Sequence, residues 1–192
     1  MRIVELVLLT LVAVTGAAKA GPFEDAVAAY EVGDYATAYR LQRPLADQGF
    51  VKAQVNLGIM YAHGHGVPRD DVEATGWFRK AAEQGDRLAQ HNLGVMYESG
   101  RGVPQNWAEA ATWFHNAADQ GLADAQYDLG RVYAEGRGVQ RDYVRAYLWF
   151  SLAAAQGDRR AAHNRSTLVP LMTPAQIAEG QKLAREWKPK RE

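Results

Sequence analysis

The sequence contains no cysteine, and its charges balance, with 22 lysines and arginines against 22 aspartates and glutamates. The missing cysteine excludes disulfides, thiolate metal sites, a cysteine nucleophile and lipid attachment at an N-terminal cysteine. The neutral charge, without a basic stripe interleaved with aromatic residues, favours no nucleic-acid partner. The short basic run at residues 188–192 is expected to be a solvated terminus.

Apolar runs are short, and the most apolar one lies at residues 3–14. It follows Arg2, is interrupted by Glu5, and precedes the small-residue sequence Ala18-Lys19-Ala20. This pattern predicts a signal peptide over residues 1–20 that is removed after Ala20. An uncleaved membrane anchor is the alternative, but a spanning helix needs about 20 apolar residues. We therefore expect a periplasmic or secreted protein without stable membrane insertion.

Three stretches of the sequence are near-copies of one another at a spacing of 36 residues. They begin at Ala53, Ala89 and Ala125 and read AQVNLGIMYAHGHGVPRD, AQHNLGVMYESGRGVPQN and AQYDLGRVYAEGRGVQRD. A fixed period of this length is typical of a solenoid, in which each unit buries its apolar face against its neighbours. The predicted fold class is an all-α solenoid of helix-turn-helix repeats.

Each repeat is predicted to contain two helices separated by a glycine loop. Apolar residues at positions 1, 5, 8 and 9, counted from Ala53, predict helix A over residues 52–63. A G-x-G-V loop then ends the helix. Asp70 is the expected N-cap of helix B, residues 71–84, with Glu73 completing a capping box. The second repeat has an equivalent pair, and the third lacks the glutamate.

The flanking segments are interpreted as caps, because they keep only part of the 36-residue pattern. Near the C-terminus, Thr173, Pro174 and Gln176 predict the start of a last helix over residues 174–187, with a capping box. The predicted organisation is a signal peptide at 1–20, an N-terminal capping repeat at 21–52, repeats at 53–88, 89–124 and 125–160, and C-terminal capping helices with a basic tail at 161–192.

The recurring residues A-x-x-x-L-G-x-x-Y-x-x-G-x-G-V-x-x-[DN]-x-x-x-A-x-x-W-x-x-x-A-A-x-x-G resemble the Sel-one-like repeat, a relative of the tetratricopeptide repeat. The resemblance implies a right-handed α-solenoid and an interaction role. Exported bacterial members are described as adaptors: periplasmic regulators of sensor kinases, helpers in polysaccharide export, and factors that contact host proteins. Some cysteine-rich members are linked to penicillin binding or hydrolysis, which this cysteine-free sequence does not support.

Positions 4, 7 and 11 of helix A lie together on the side opposite the core positions, because successive residues turn by about 100°. They differ between repeats and are expected to line the concave surface, where a partner peptide or helix would bind. In this interpretation Arg131 pairs with a carboxylate of the partner. The alternative is that loops or the convex side make the contact. The predicted contact residues are Asn56, Ile59, His63, Asn92, Val95, Ser99, Asp128, Arg131 and Glu135.

Other functions find less support in the sequence. His63 and His65 are two potential metal ligands, but a site needs more, so we expect no metal and no cofactor. The recurring tryptophans are expected in the core rather than stacked on sugars, whereas Trp107 is a candidate contact residue. We expect a monomeric, non-enzymatic adaptor. The alternative is a factor associated with envelope polysaccharide or peptidoglycan, with hydrolytic or lectin-like activity, and a structural subunit of an envelope assembly is a third interpretation.

Overall fold

The computed structural model describes residues 21–190, so the predicted signal peptide lies outside the described residues. All regular secondary structure in these residues is helical, with a single 3₁₀ turn at Val169–Leu171. Its ten α-helices are α1 (Pro22–Glu31), α2 (Tyr35–Asp47), α3 (Val51–His63), α4 (Asp71–Ala82), α5 (Arg87–Ser99), α6 (Trp107–Asp119), α7 (Ala123–Glu135), α8 (Tyr143–Ala155), α9 (Arg159–Leu168) and α10 (Pro174–Glu186).

The helices pack in sequence order, each against the one before and the one after, up to α9. Repeats 1, 2 and 3 are the pairs α3–α4, α5–α6 and α7–α8, and the predicted α-solenoid is confirmed. Each helix A begins two residues before the alanine that opens the predicted unit. It ends at a glycine in the left-handed conformation, such as Gly64 with φ of 74°. Glycine is favoured there because a side chain would clash with the backbone.

A glycine at position 6 of helix A lets an aromatic ring from helix B lie directly on the backbone. A Cβ atom on Gly94 would come within 2.6 Å of the Phe114 ring, and the other two repeats have the same contact. Phe114 is fully buried as a result. Trp77 and Trp149 are also buried, which confirms their predicted place in the core, whereas Trp113 is half-buried and packs against the edge of the core.

The predicted N-caps of helix B are confirmed, but the predicted capping boxes in repeats 1 and 2 are wrong in their second half. The Asp70 side chain accepts hydrogen bonds from the backbone N–H groups of Val72 and Glu73. The Asp70 N–H donates to the Tyr61 carbonyl at 3.0 Å, and Asn106 bonds to helix A in the same way. The cap N–H is therefore already satisfied, so it does not donate a hydrogen bond to the Glu73 side chain. The box at Thr173 and Gln176 forms as predicted.

A glutamine pair with a buried member on helix A recurs in every repeat and was not anticipated from the sequence. In repeat 3 the Gln126 amide donates to the Ala118 carbonyl of the preceding helix B at 3.2 Å. Gln156, at the end of the repeat's own helix B, donates to Gln126 at 2.8 Å. The Ala118 carbonyl also accepts the Gly121 N–H at 2.9 Å, so the glutamine adds a further hydrogen bond to it. The pair joins three helices.

The residue after the first loop glycine contacts the first residue of the preceding helix B, and we call this the junction contact. The His65 and Tyr35 rings stack with centroids 4.3 Å apart and an interplanar angle of 7°. At the next junction Arg101 Nε donates to Asp71 Oδ2 at 3.2 Å. At the third, the Arg137 guanidinium carbon lies 4.7 Å from the centre of the Trp107 ring. The three junction contacts are His65–Tyr35, Arg101–Asp71 and Arg137–Trp107.

The C-terminal segment contacts the repeats, although residues 188–190 are exposed to solvent, as expected for the basic tail. The Lys190 N–H donates to the Asp119 carbonyl at 2.8 Å, and its ammonium group lies 2.6 Å from the Asp119 carboxylate. Trp187 packs edge-on against Trp149. Across the described residues, no helix has the length and apolar character needed to cross a membrane.

Candidate functional site

The predicted contact residues occupy equivalent positions on α3, α5 and α7, and we call this set the helix A stripe. The three residues nearest the helix ends, His63, Ser99 and Glu135, are exposed, and the other six are half-buried. These six side chains are therefore partly covered by their neighbours and partly open to solvent. Whether these residues contact a partner stays a prediction.

The first two repeats give the stripe an uncharged character on α3 and α5. Asn56 and Asn92 have no hydrogen-bond partner among the described residues. Ile59 and Val95 pack against the edges of the core and remain partly accessible. Each of these helices therefore presents a free amide beside an aliphatic side chain.

In the third repeat the stripe is charged, and its charges are paired within the chain. Arg131 lies 3.0 Å from Asp128 and 3.1 Å from Glu98. Its Nε atom lies 3.8 Å from Glu135, which also pairs with Arg137 at 2.8 Å. Arg131 is thus surrounded by three carboxylates of its own chain, which compete with the expected carboxylate of a partner.

His91 completes this network from the neighbouring repeat, with its Nε2 atom 2.9 Å from Asp128 Oδ2. Burial acts to raise the pKa of Asp128, but the hydrogen bond with His91 and the charge of Arg131 outweigh it and hold that pKa below its usual range. Burial raises the pKa of Glu98 despite the nearby guanidinium. The network links α5 to α7, so it couples two repeats as well as charging the stripe.

Two residues of repeat 2 indicate this network, because they depart from the repeat pattern. His91 is at position 3, where the other repeats have Val55 and Tyr127, and Glu98 is at position 10, where they have Ala62 and Ala134. A charged or ionisable residue at a position that is otherwise apolar needs a partner when it is buried. Both substitutions occur in repeat 2, on the helix that faces the charged residues of repeat 3.

The stripe continues into the C-terminal cap, which sequence reasoning missed. Counting from Ala161, positions 4, 7 and 11 are Asn164, Thr167 and Leu171. They line a cavity of about 270 Å³ together with stripe residues of repeat 3. We call this cavity the terminal pocket, and its lining residues are Arg131, Ala134, Glu135, Tyr143, Phe150, Asn164, Thr167, Leu168 and Leu171.

The terminal pocket has an apolar floor and a polar rim. Phe150 and Leu168 are buried, whereas Leu171 is 61% exposed. Glu135 and Thr167 are exposed and supply a carboxylate and a hydroxyl. The pocket is therefore suited to a side chain that has both an apolar portion and a polar end.

The two remaining candidates from the sequence, His65 and Trp107, are engaged in contacts with other side chains. His65 Nδ1 is 2.7 Å from the Tyr30 hydroxyl and its ring stacks on Tyr35, and within residues 21–190 no three metal-binding side chains converge. Burial lowers the pKa of His63, and the neighbouring His65 adds to this effect. Trp107 is half-buried beneath Arg137.

Comparison with known proteins places these features in a family. A Sel1 repeat model matches residues 51–86, 87–122 and 123–158. A Sel1 repeat protein from Oxalobacter formigenes is 36% identical, with a TM-score of 0.70, over 73% of this chain and 58% of that one. A protective antigen of uropathogenic Escherichia coli strains with an SLR fold is 28% identical, with a TM-score of 0.60, over 84% of this chain and 45% of that one.

Among curated proteins, DAP3-binding cell death enhancer 1 from Rattus norvegicus and from Mus musculus is 45% identical over 40 residues. That match covers 21% of this chain and 8% of each relative, so the chain spans only a small part of their length. The family model, in contrast, accounts for more than half of the 192 residues, and its three matches coincide with the three helix pairs. The chain therefore belongs to the Sel1 repeat family.

Proposed function

We propose that this chain is an exported scaffold that binds a segment of a partner protein along the helix A stripe. Sel1 repeat proteins are generally scaffolds for protein–protein interactions. Solenoids of stacked helices offer an extended surface for this purpose, and the residues that differ between repeats give that surface its specificity.

The observation that carries the proposal is the pair of free amides on α3 and α5. Asn56 and Asn92 are half-buried and lack partners among the described residues. An asparagine amide both donates and accepts hydrogen bonds, so it can pair with the backbone of a bound segment. The neighbouring Ile59 and Val95 provide apolar contacts for that segment's side chains. Two repeats therefore offer the same combination of groups in succession.

The charged end of the stripe also favours binding over catalysis. Arg131, Asp128 and Glu98 are engaged with one another and with His91. A general acid or base must instead reach the substrate with a group of suitable protonation state. The network is therefore better suited to fixing the shape of the groove than to proton transfer.

A photo-crosslinking amino acid placed at Val95 should capture the partner in cells that produce the full chain. The same probe at Thr112, an exposed position on α6, is the matched control because it lies on helix B of the same repeat. We expect a discrete adduct at Val95 and at Ile59, identified by mass spectrometry, and none at Thr112. Adding Asn56→Ala and Asn92→Ala should reduce the adduct at Val95. Equal capture at Thr112, or capture only from the loops, would refute binding along the stripe.

Export is the second part of the proposal, and it is supported by Arg2, the apolar run at 3–14 and the Ala18-Lys19-Ala20 sequence. The mature protein isolated from its native host should begin at Gly21. Intact-mass measurement and N-terminal sequencing would show this directly. Replacing Ala18 and Ala20 with bulky residues should leave the precursor uncleaved, because the cleavage site requires small side chains. A mature protein that retains residues 1–20 would contradict this part.

A further inference from the structure

In each junction contact, a side chain from the following repeat packs on the first residue of a helix B. Tyr35 receives the His65 ring, Asp71 receives the Arg101 guanidinium, and Trp107 receives the Arg137 guanidinium. In each case the incoming side chain carries a planar nitrogen-containing group. Where the first residue is aromatic, that group lies over the ring.

The fourth helix B, α8, has no following glycine loop that could supply a junction contact. Tyr143 is the first residue of α8, and no G-x-G-V loop follows it. The chain instead passes from α9 through the 3₁₀ turn into α10. The terminal pocket lies at this place, with Tyr143 in one wall. The pocket thus stands next to an aromatic residue of the kind that other junctions cover with a planar group.

The groups around the pocket favour a cation. Glu135 is exposed at the rim; it pairs with Arg137 at 2.8 Å and lies 3.8 Å from Arg131, and its remaining acceptor sites face solvent. Helix α7 also ends there, so its C-terminal carbonyls add partial negative charge. At the equivalent place on α3, the Ala62 carbonyl accepts a hydrogen bond from Arg101 at 3.4 Å. Ala134 occupies that position in the terminal pocket.

Two arginines of the chain lie near the terminal pocket, but other contacts hold them. Arg131 is held by Asp128 and Glu98. Arg141 lies over Tyr143 from its own loop, with 5.4 Å between the guanidinium carbon and the ring centre. At the equivalent position of α4, Asp71 contacts both Arg69 of its own loop and Arg101 of the next.

We infer that the terminal pocket binds an arginine side chain of the partner segment, with its guanidinium stacked on Tyr143 and paired with Glu135. The aliphatic part of that arginine packs on Phe150 and Leu168. This inference rests on the proposed function, since it assigns the chemistry of the residue that anchors the bound segment at the end of the stripe. Arginine fits better than lysine because its planar group stacks on an aromatic ring and pairs with a carboxylate at the same time.

The test uses NMR titration of the ¹⁵N-labelled protein with the capped peptide Gly-Arg-Gly-Val, the loop sequence of repeats 2 and 3. We expect saturable shifts at the amides of Ala134, Tyr143 and Thr167, with an affinity on the order of millimolar. The same peptide with citrulline, a neutral isostere of arginine, should bind about tenfold more weakly or not saturate, because the ion pair and cation–π contact are lost. Glu135→Gln should weaken binding about two- to fivefold, whereas Glu109→Gln, exposed on α6, should not.

Several results would overturn the inference. These are equal binding of the citrulline peptide, preference for a glutamate peptide, shifts confined to other surfaces, and no shift at about 20 mM peptide. Self-association that Glu135→Gln abolishes would mean that a second copy, rather than another protein, supplies the guanidinium. Crosslinking at Val95 without arginine binding would refute only this inference. Arginine binding without crosslinking at Val95 or Ile59 would refute the proposed function and leave the pocket assignment intact.

Discussion

Replacing Gly102 with alanine should destabilise the protein by about 3–5 kcal/mol, because a strained backbone conformation and a steric clash add together. Gly102 has φ of +67°, and an added Cβ would overlap the Asp71 carbonyl and lie 2.7 Å from Thr75 Oγ1. Asp71 and Thr75 belong to the preceding repeat, so neither can yield without moving α4. Thermal unfolding followed by circular dichroism should show a fall in Tm of about 6–15 °C.

Gly100 provides the matched control, because it is the first glycine of the same loop. It has φ of +68°, but its added Cβ would meet only Gln105 of its own loop, at 3.2 Å. Gly100→Ala should therefore cost about 1–2 kcal/mol, mainly for the left-handed conformation. If both variants lost the same stability, the close approach of Gly102 to the preceding repeat would not be the cause. A second, earlier unfolding transition in Gly102→Ala would indicate that repeats 1 and 2 had separated.

The repeating residues predicted the fold well, because each of them makes the same packing contact in all three repeats. Alanine, leucine and tyrosine at fixed positions marked helix A to within one residue of its observed start. The glycine at position 6 recurred for a reason that the sequence alone did not reveal, since its partner Phe114 lies 20 residues beyond Gly94. Periodicity locates such residues but does not say which side chain they contact.

The variable residues were harder to interpret, and the structure divides them into two groups. His65, Arg101 and Arg137 differ chemically, yet each complements a residue about 30 positions earlier. Because these contacts use stacking, an ion pair and a cation–π interaction in turn, no common pattern marks them in the sequence. Their variation serves the packing of neighbouring repeats. Asn56 and Asn92 have no such partner among the described residues, and they are the positions that the proposed recognition would use.

The terminal pocket was missed for a different physical reason. It forms where the chain stops following the 36-residue period and Leu171 is carried past Tyr143 by a 3₁₀ turn. A repeat pattern predicts positions only while the repeat continues. The contacts at the end of a solenoid are therefore set by tertiary packing that the repeat pattern does not encode.

Replacing Arg131 with methionine should cost about 3–5 kcal/mol, because it leaves buried carboxylates without their cation. The Arg131, Asp128 and Glu98 side chains are 20%, 15% and 18% exposed, so water can restore little of the lost interaction. Arg137→Met is the matched control. Arg137 is 49% exposed and pairs with Glu135 at the surface, so its loss should cost about 1 kcal/mol. Urea unfolding at neutral pH would measure both values.

The pH dependence of the stability loss in Arg131→Met distinguishes the loss of ion pairing from the loss of packing. Without Arg131, burial raises the pKa of Glu98 further above its value in the unfolded chain, so the folded state binds protons more tightly than the unfolded state. Folding stability then increases as protons are added, and the difference between Arg131→Met and the wild type should narrow as the pH falls from about 7 to about 4. Adding Glu98→Gln and Asp128→Asn to Arg131→Met should recover most of the loss at neutral pH, because no buried charge remains. A loss that stays constant with pH and persists in the triple variant would show that Arg131 acts through its packing, and that the charged end of the stripe does not depend on ion pairing between repeats.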